Sequence, residues 1–135
     1  MNAIRYRYPF TLRLHDVDGA GRIFFGHLFR HFNDASEAFL AAAGHPLPEL
    51  LAEGGILLPV VHAEADFRRP LRHGESLTIE VRVPRVGGRS FTLGYRVVDD
   101  REGLRAEGQT VHACVDAASG EARPLPDWLR EVLSP

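Results

Sequence analysis

The chain has no lysine and only one cysteine among its 135 residues. Because all 16 basic residues are arginine, no lysine is available for a Schiff base or for a phosphate-binding loop that requires one. The single Cys114 cannot form an internal disulfide. We therefore expect a protein of a reducing, cytoplasmic compartment.

An excess of charge of one sign and long apolar runs are also absent from the sequence. The formal net charge of −2 gives no electrostatic attraction to nucleic acid or to an anionic membrane. No apolar run approaches the roughly 20 residues that span a bilayer, and the first six residues lack the apolar core of a signal peptide. Because 44% of the residues are apolar, we expect one globular domain over residues 1–135.

One long helix is the clearest element that the sequence predicts. Over residues 24–43, apolar side chains recur every three or four positions, which is typical of one buried helix face. Gly44 and Pro46 then end the helix. An alternating strand over residues 6–14 precedes the helix, and a short, partly helical flap over residues 46–55 follows it.

The second half of the chain is predicted to form four consecutive strands joined by tight turns. The predicted elements are strands over 56–69, 76–83, 90–98 and 104–116, and a terminal helix over 124–133. Hairpin neighbours are antiparallel, and a single helix can bury its apolar stripe only against one face of a sheet. The fold class is therefore α+β, with an antiparallel sheet of about five strands, whose open edges favour pairing in a homodimer.

Two segments resemble a known enzyme family. Residues 16–28, DVDGAGRIFFGHL, are similar to the signature of hotdog-fold acyl-CoA thioesterases of the 4-hydroxybenzoyl-CoA thioesterase type. Together with residues 61–70, VHAEADFRRP, they are most similar to the branch that hydrolyses 1,4-dihydroxy-2-naphthoyl-CoA. The resemblance covers nearly the whole chain. It implies a hotdog fold, in which the sheet wraps around one long central helix, and hydrolysis of an acyl-CoA thioester.

The glycine-rich turn before the helix carries the predicted chemistry. Unpaired N–H groups in the first helical turn, aided by the helix dipole, can bind the oxyanion that forms when a thioester is attacked. The resemblance assigns that contact to the backbone N–H of Phe25 and assigns the role of base or nucleophile to Asp18, expected just outside the first turn. Gly21 would let the turn approach the thioester. The plainer interpretation is that Asp18 only forms the turn, as Asp16 is expected to support it.

Several polar side chains are candidates for substrate binding. His27 is interpreted as a pocket residue near the helix start, with an exposed histidine as the alternative. His27 and His31 are four residues apart, but the glutamate of a zinc-protease motif is missing between them, so we predict no metal site. His62 and Glu64 lie on the polar face of a predicted strand and are candidates for binding a ring hydroxyl.

The phosphates of CoA require cationic partners at the rim of a binding site. Arg85 and Arg89 bracket a Gly-Gly turn, and the resemblance associates Arg89, next to Ser90, with the nucleotide end of CoA. Arg69 belongs to a second arginine cluster. A guanidinium group presents a planar fork of donors that matches phosphate oxygens, although each of these residues can also be an ordinary surface arginine.

The resulting hypothesis is a cytoplasmic acyl-CoA thioesterase that acts on an aromatic acyl group. We expect a homodimer or homotetramer, with no cofactor beyond the CoA of the substrate. Two alternatives keep the reaction: a generalist hydrolase of short- or medium-chain acyl-CoA, and a hydrolase that takes its substrate from acyl carrier protein. A third is a non-catalytic module that binds acyl ligands.

Overall fold

The computed structural model describes residues 3–135, which form seven β-strands and three α-helices. Met1 and Asn2, which begin the segment tested above for a signal peptide, lie outside these residues. The strands are β1 (Tyr6–Thr11), β2 (Ile56–Leu57), β3 (Val60–Phe67), β4 (Ser76–Val86), β5 (Ser90–Val98), β6 (Leu104–Ala113) and β7 (Val115–Asp116). The helices are α1 (His27–Ala42), α2 (Leu47–Glu53) and α3 (Asp127–Leu133), with a 3-10 turn at Leu14–Asp16.

Five strands form one antiparallel sheet in the order β1-β4-β5-β6-β3, and β2 pairs with β7 in a separate small ribbon. The predicted α+β class and antiparallel sheet of about five strands are confirmed. The prediction of four strands joined consecutively by tight turns was wrong for β3. Because β1 and β5 occupy both sides of β4, β3 pairs with β6 instead and forms an edge of the sheet.

The core forms where one face of the sheet meets α1. Strands β4 and β5 alternate as predicted, and β5 has the predicted bounds. The inward side chains of both strands share one apolar cluster with α1: Leu77, Ile79, Val81, Phe91, Leu93, Tyr95, Val97, Leu28, Phe32, Ala35 and Phe39. At its centre, the ring of Phe32 stacks on Tyr95 with centroids 4.3 Å apart. Burial of this apolar surface is the main contribution to the stability of the fold.

The long helix begins later than the sequence predicts. Residues 24–26 form a turn and α1 starts at His27. The N–H of Phe24 donates to the carbonyl of Asp16 (2.9 Å), so this residue belongs to a hairpin and not to the helix. Phe25, predicted to lie on the buried helix face, is 66% exposed. That part of the prediction was wrong because helical spacing continues through a turn that long-range hydrogen bonds hold in another shape.

Three predicted strands are shorter than expected, and the last of them, over 104–116, breaks at Cys114 between β6 and β7. The first ends at Thr11, and Leu14, expected to face the core, is 73% exposed in the 3-10 turn. The predicted strand over 56–69 is interrupted at Pro59, between β2 and β3. Proline has no N–H to donate to a sheet, which explains the interruption. The short helices predicted in the flap and near the end of the chain correspond to α2 and α3.

Among residues 3–135, no helix combines the length and the apolar character needed to cross a bilayer.

A buried polar chain crosses the sheet beneath α1. The hydroxyl groups of Tyr95 and Thr110 are hydrogen-bonded at 2.7 Å, and Thr110 Oγ1 lies 2.8 Å from His112 Nε2. Burial raises the pKa of Tyr95 to about 12. Burial also lowers the pKa of His112, although a hydrogen bond with the Leu58 backbone opposes the shift. Both side chains are therefore neutral near pH 7.

Gly108 tests how tightly β6 packs. A Cβ atom at this position would collide with the carbonyl oxygen of Glu64, the Phe32 ring and Ala65 Cα. Gly108→Ala is expected to lower the free energy of unfolding by about 1–3 kcal/mol, the usual cost of overpacking. Urea unfolding measures the change. Gly88→Ala is the matched control, because a Cβ at Gly88 meets nothing within 4 Å.

His112 makes stability depend on pH. Its pKa is lower in the folded protein than the ordinary 6.5, so below pH 6.5 the unfolded chain binds the proton first. The melting temperature is therefore expected to fall as the pH drops from 7.5 towards 5. His112→Gln should have a shallower slope over that range than the wild-type protein. Equal slopes for the two proteins would contradict this account.

Candidate active site

Asp18 lies in a tight turn within a small hairpin over residues 16–24. Val17 and Ile23 pair across the hairpin, and the N–H of Asp18 donates to the carbonyl of Arg22 at 2.8 Å. Gly21, at the turn, has a φ of +76°, a left-handed conformation that glycine adopts without strain. The turn follows the 3-10 segment, and α1 begins only at His27, nine residues further along the chain. The expectation that Asp18 stands just outside the first helical turn was therefore wrong.

The carboxylate of Asp18 is exposed, and only one of its two oxygens accepts hydrogen bonds from the described residues. Its Oδ1 accepts hydrogen bonds from the N–H groups of Ala20 (2.8 Å) and Arg22 (3.4 Å). Within the described part of the chain, Oδ2 has no hydrogen-bond partner. These contacts fix the orientation of the side chain and leave one oxygen open to a ligand or to water.

The segment that leads into α1 presents free backbone donors. The N–H of His27 is already bonded to the carbonyl of Phe24 at 2.9 Å. In contrast, the N–H groups of Phe25 and Gly26 have no acceptor within residues 3–135. Because they precede the positive end of the α1 dipole, they are suited to bind an anionic oxygen. Asp18 thus lies in the turn of the hairpin, and Phe25 directly follows the last hairpin residue, Phe24.

Asp16, the first residue of this hairpin, has a fully buried carboxylate. It accepts hydrogen bonds from the N–H of Arg13 (2.9 Å) and from His31 Nε2 (2.9 Å), and it forms an ion pair with Arg30. Burial alone would raise the pKa of Asp16, but the Arg13 N–H, His31 and Arg30 together hold it below its ordinary value. Burial lowers the pKa of His31, and the attraction of Asp16 opposes this only in part.

His27 and His31 lie one turn apart on α1, but both point to Asp16. His27 Nδ1 is 3.1 Å from the Asp16 carbonyl oxygen, and the His27 ring packs edge-on against Phe24 with centroids 5.3 Å apart. In the chain from residue 3 onwards, no group of three or more His, Cys, Asp or Glu side chains is arranged to hold a metal. His27 is therefore part of the junction between the hairpin and α1.

His62 and Glu64 form a pair on the exposed edge strand β3. His62 Nε2 lies 2.9 Å from Glu64 Oε1, which also accepts a hydrogen bond from Gln109 Nε2 at 3.1 Å. The hydrogen bond with His62 is the main cause that lowers the pKa of Glu64. Over the residues that the structure describes, no hydrogen bond or ion pair joins this pair to Asp18. Both side chains remain accessible to a ligand.

The structure separates the predicted CoA-binding arginines into two groups. Arg85 and Arg89 are exposed at the β4–β5 hairpin, where Ser90 accepts a backbone hydrogen bond from Gly87 at 2.8 Å. The carbonyl of Arg89 is bonded to Cys114, just beyond the end of β6. Neither guanidinium group has a carboxylate partner among residues 3–135.

Arg69 lies at the other end of β6. Its N–H donates to Arg105, near the start of β6, and its Nε donates to the Leu104 carbonyl. The ten residues of β6 span about 30 Å at 3.3 Å per residue. Within one chain, the structure therefore does not bring Arg69 together with Arg85, Arg89 and Ser90.

Arg69 instead lines a groove beside the turn of Asp18. The groove has a volume of about 290 Å³ and is lined by Arg22, Ile23, Phe67, Arg68, Arg69, Pro70 and Leu71. Arg68 is paired with Glu107 at 3.0 Å, whereas the guanidinium of Arg22 has no partner in the described chain. Sequence reasoning missed Arg22, although its position directly after the glycine-rich turn was a signal.

Sequence reasoning also missed the partners of Asp16. His31 stands between Leu28 and Phe32 on the apolar stripe of α1. A polar side chain at a buried helix position needs a hydrogen-bond partner, and that requirement was the available signal. The sequence alone did not indicate which residue supplies the partner.

Comparison with known proteins gives consistent matches over almost the entire chain. The chain is 33% identical over 129 residues to a 1,4-dihydroxy-2-naphthoyl-CoA hydrolase of Synechococcus elongatus, covering 95% of this chain and 94% of the relative. It is 32% identical over 128 residues to the protein of the same name from Rippkaea orientalis, covering 93% of each chain.

Solved structures agree with this result. A 1,4-dihydroxy-2-naphthoyl-CoA thioesterase from Synechocystis superposes with a TM-score of 0.88 at 26% identity, covering 95% of this chain and 94% of that one. A gentisyl-coenzyme A thioesterase, at 24% identity, shares the fold with a TM-score of 0.85, covering 93% and 99%. The model of the Thioesterase-like superfamily matches residues 12–133, which include the Asp18 hairpin and α1. The chain therefore belongs to the thioesterase-like superfamily.

Proposed function

We propose that this protein hydrolyses an aromatic acyl-CoA thioester, of the 1,4-dihydroxy-2-naphthoyl-CoA or hydroxybenzoyl-CoA kind, to the free acid and CoA. The observation that carries the proposal is a half-free carboxylate, Asp18, in the turn of a hairpin whose second arm leads directly to the unpaired N–H groups of Phe25 and Gly26. The names of the relatives support the same reaction and the aromatic acyl group.

Two versions of the chemistry use the same groups. With Asp18 as general base, a water oxygen attacks the thioester carbon while its proton passes to the carboxylate. With Asp18 as nucleophile, the carboxylate itself attacks, and water then cleaves the resulting anhydride. In both, the Phe25 N–H binds the oxyanion, and the C–S bond breaks to release the CoA thiolate, which takes up a proton. Gly21 allows the thioester to approach the turn.

A donor such as the Phe25 N–H is typically worth about a hundred- to a thousandfold in rate. Its value depends on being fixed before the reaction, and the short turn at residues 24–26 provides that fixation.

We assign recognition of the acyl group to three polar residues. His27 lies where the hairpin meets α1, close to the proposed oxyanion donor. His62 and Glu64 are half exposed on β3 and offer both a donor and an acceptor to ring hydroxyls. An aromatic ring with hydroxyl groups needs such partners, whereas an alkyl chain does not.

The phosphates of CoA are assigned to the two arginine groups. Arg85 and Arg89, with Ser90, present uncompensated donors at the β4–β5 hairpin. Arg69, whose Nε is bonded to the Leu104 carbonyl, lines the groove beside Asp18 together with Arg22. Acyl carrier protein is the other possible thiol carrier. No cofactor beyond the CoA of the substrate is part of the proposal.

A homodimer, or a dimer of dimers, follows from the edge of the sheet. Along β3, Val60, Val61 and Phe67 are 46%, 63% and 44% exposed, and no strand among residues 3–135 pairs with the outer side of β3. Pairing of two such edges would complete the hydrogen bonding and cover the apolar side chains. We also propose a single hotdog domain, with the sheet wrapped around α1 as its one long central helix, and a cytoplasmic location.

CoA release from four thioesters tests the proposed function. The substrates are 1,4-dihydroxy-2-naphthoyl-CoA, 4-hydroxybenzoyl-CoA, benzoyl-CoA and hexanoyl-CoA, compared by kcat/KM. We expect the two hydroxylated aromatic substrates to be preferred, because only they use the donors and acceptors of His62 and Glu64. Flat activity would favour the generalist or carrier-protein enzyme, and no turnover would favour a binding module.

The variant Asp18→Asn is the control for that assay. Loss of a general base typically costs about a hundred- to ten-thousandfold in rate. We therefore expect kcat to fall at least about a hundredfold, while the fold and the affinity for CoA are kept. Asp100→Asn changes an exposed carboxylate in the β5–β6 turn and should keep wild-type kcat. Full activity of Asp18→Asn would refute the assigned role.

Substrates with and without phosphates test the arginines. Arg89→Gln and Arg69→Gln are each expected to raise the KM for acyl-CoA about tenfold, because a charge-assisted hydrogen bond contributes roughly 1.5–3 kcal/mol. The KM for the matching acyl-pantetheine, which lacks the nucleotide phosphates, should not change. Arg101→Gln, an exposed arginine in the β5–β6 turn, is the matched control. An arginine variant that leaves both KM values unchanged does not bind the phosphates.

A further inference from the structure

Asp16 holds the main-chain geometry of the proposed oxyanion site. Its carbonyl oxygen accepts the N–H of Phe24 at 2.9 Å and lies 3.1 Å from His27 Nδ1. These two contacts bracket residues 25 and 26, whose N–H groups are the free donors. A shift of the Asp16 peptide would therefore move the Phe25 N–H directly.

The side chain of Asp16 is fixed by donors from two different elements. Oδ2 accepts the N–H of Arg13, which closes the 3-10 turn, and Oδ1 faces His31 and Arg30 of α1. A carboxylate can only accept hydrogen bonds, so His31 donates its Nε2–H. The carboxylate thus ties the strand side of the hairpin to the first two turns of the helix.

We infer that Asp16 is a positioning residue for thioester hydrolysis: through its buried contacts with His31 and Arg30 it sets the position of the Phe25 N–H relative to Asp18. The inference rests on the proposed function. Asp16 does not act on the substrate itself, because it is 0% exposed and both of its oxygens are occupied. Its effect reaches the reaction only through the backbone of residues 16–26.

An amide cannot replace this carboxylate. In Asp16→Asn, an NH2 group replaces one of the two carboxylate oxygens. At one position it faces the Arg13 N–H and at the other the Arg30 guanidinium, both of which can only donate, so one side of the link is lost in either arrangement. A displacement of about 1 Å in a catalytic donor can cost a hundredfold in rate.

The kinetic test uses Asp16 and its helical partner. Asp16→Asn and His31→Leu should each lower kcat about ten- to a hundredfold with less than a threefold change in KM. His31→Gln, which keeps an N–H donor, should restore most of the kcat lost in His31→Leu. Glu80→Gln is the matched control, because Glu80 forms an ion pair with Arg82 at 3.0 Å within β4, whose strand partners are β1 and β5. It should lower stability without changing kcat.

A second measurement does not depend on turnover. In two-dimensional ¹⁵N–¹H spectra, the amide resonances of Phe25 and Gly26 should shift in Asp16→Asn and His31→Leu, and stay in place in Glu80→Gln. Unmoved resonances in both Asp16→Asn and His31→Leu would overturn the inference, as would a kcat loss in Asp16→Asn no larger than that in Glu80→Gln. Wild-type protein without activity on any thioester would refute the proposed function, while the spectra would still decide whether Asp16 positions these donors.

Discussion

A buried charge must be fully paired, and this constraint organises the functional end of the molecule. The carboxylate of Asp16 is inaccessible to solvent and would be costly there without partners. Its partners come from the turn before it, Arg13, and from the helix after it, Arg30 and His31. Satisfying this one group therefore joins the hairpin to α1. The turn of Asp18 and the free amides of residues 25 and 26 are held by that junction.

The sheet provides the rigid support on which this junction stands. Strands β4 and β5 are paired on both sides, and their inward side chains form one core with α1. The hairpin is anchored to the segment just before β4, since Ile23 donates to Leu71 and His73 donates to Gly21. The edge at β3 has the opposite character, because its side chains are mostly exposed and no strand in the described part of the chain pairs with its outer side. A stable frame and an open edge thus lie in the same sheet.

The two arginine groups lie at opposite ends of β6, and CoA is a long, flexible molecule with phosphates far from its thioester. The group with Arg69 lies beside the turn of Asp18, whereas the group with Arg89 lies about 30 Å away along the strand. Within one chain, the same phosphate of CoA therefore cannot contact both arginine groups. In a dimer paired along β3, as proposed above, residues of the second copy can contribute to the CoA site of the first. The oligomeric state would then affect substrate binding.

The sequence by itself determined the elements that depend on local spacing. The two-residue alternation predicted β5 over residues 90–98, and the repeat of three to four residues predicted most of α1. Only the tertiary structure decided where α1 begins, that Asp16 is buried and that β3 pairs with β6. Each of these depends on hydrogen bonds or strand pairs between residues far apart in the chain, such as Asp16 with His31. Local periodicity does not indicate such partners. The same residue pattern is compatible with a helix, a turn or an edge strand, and only the distant partner decides between them.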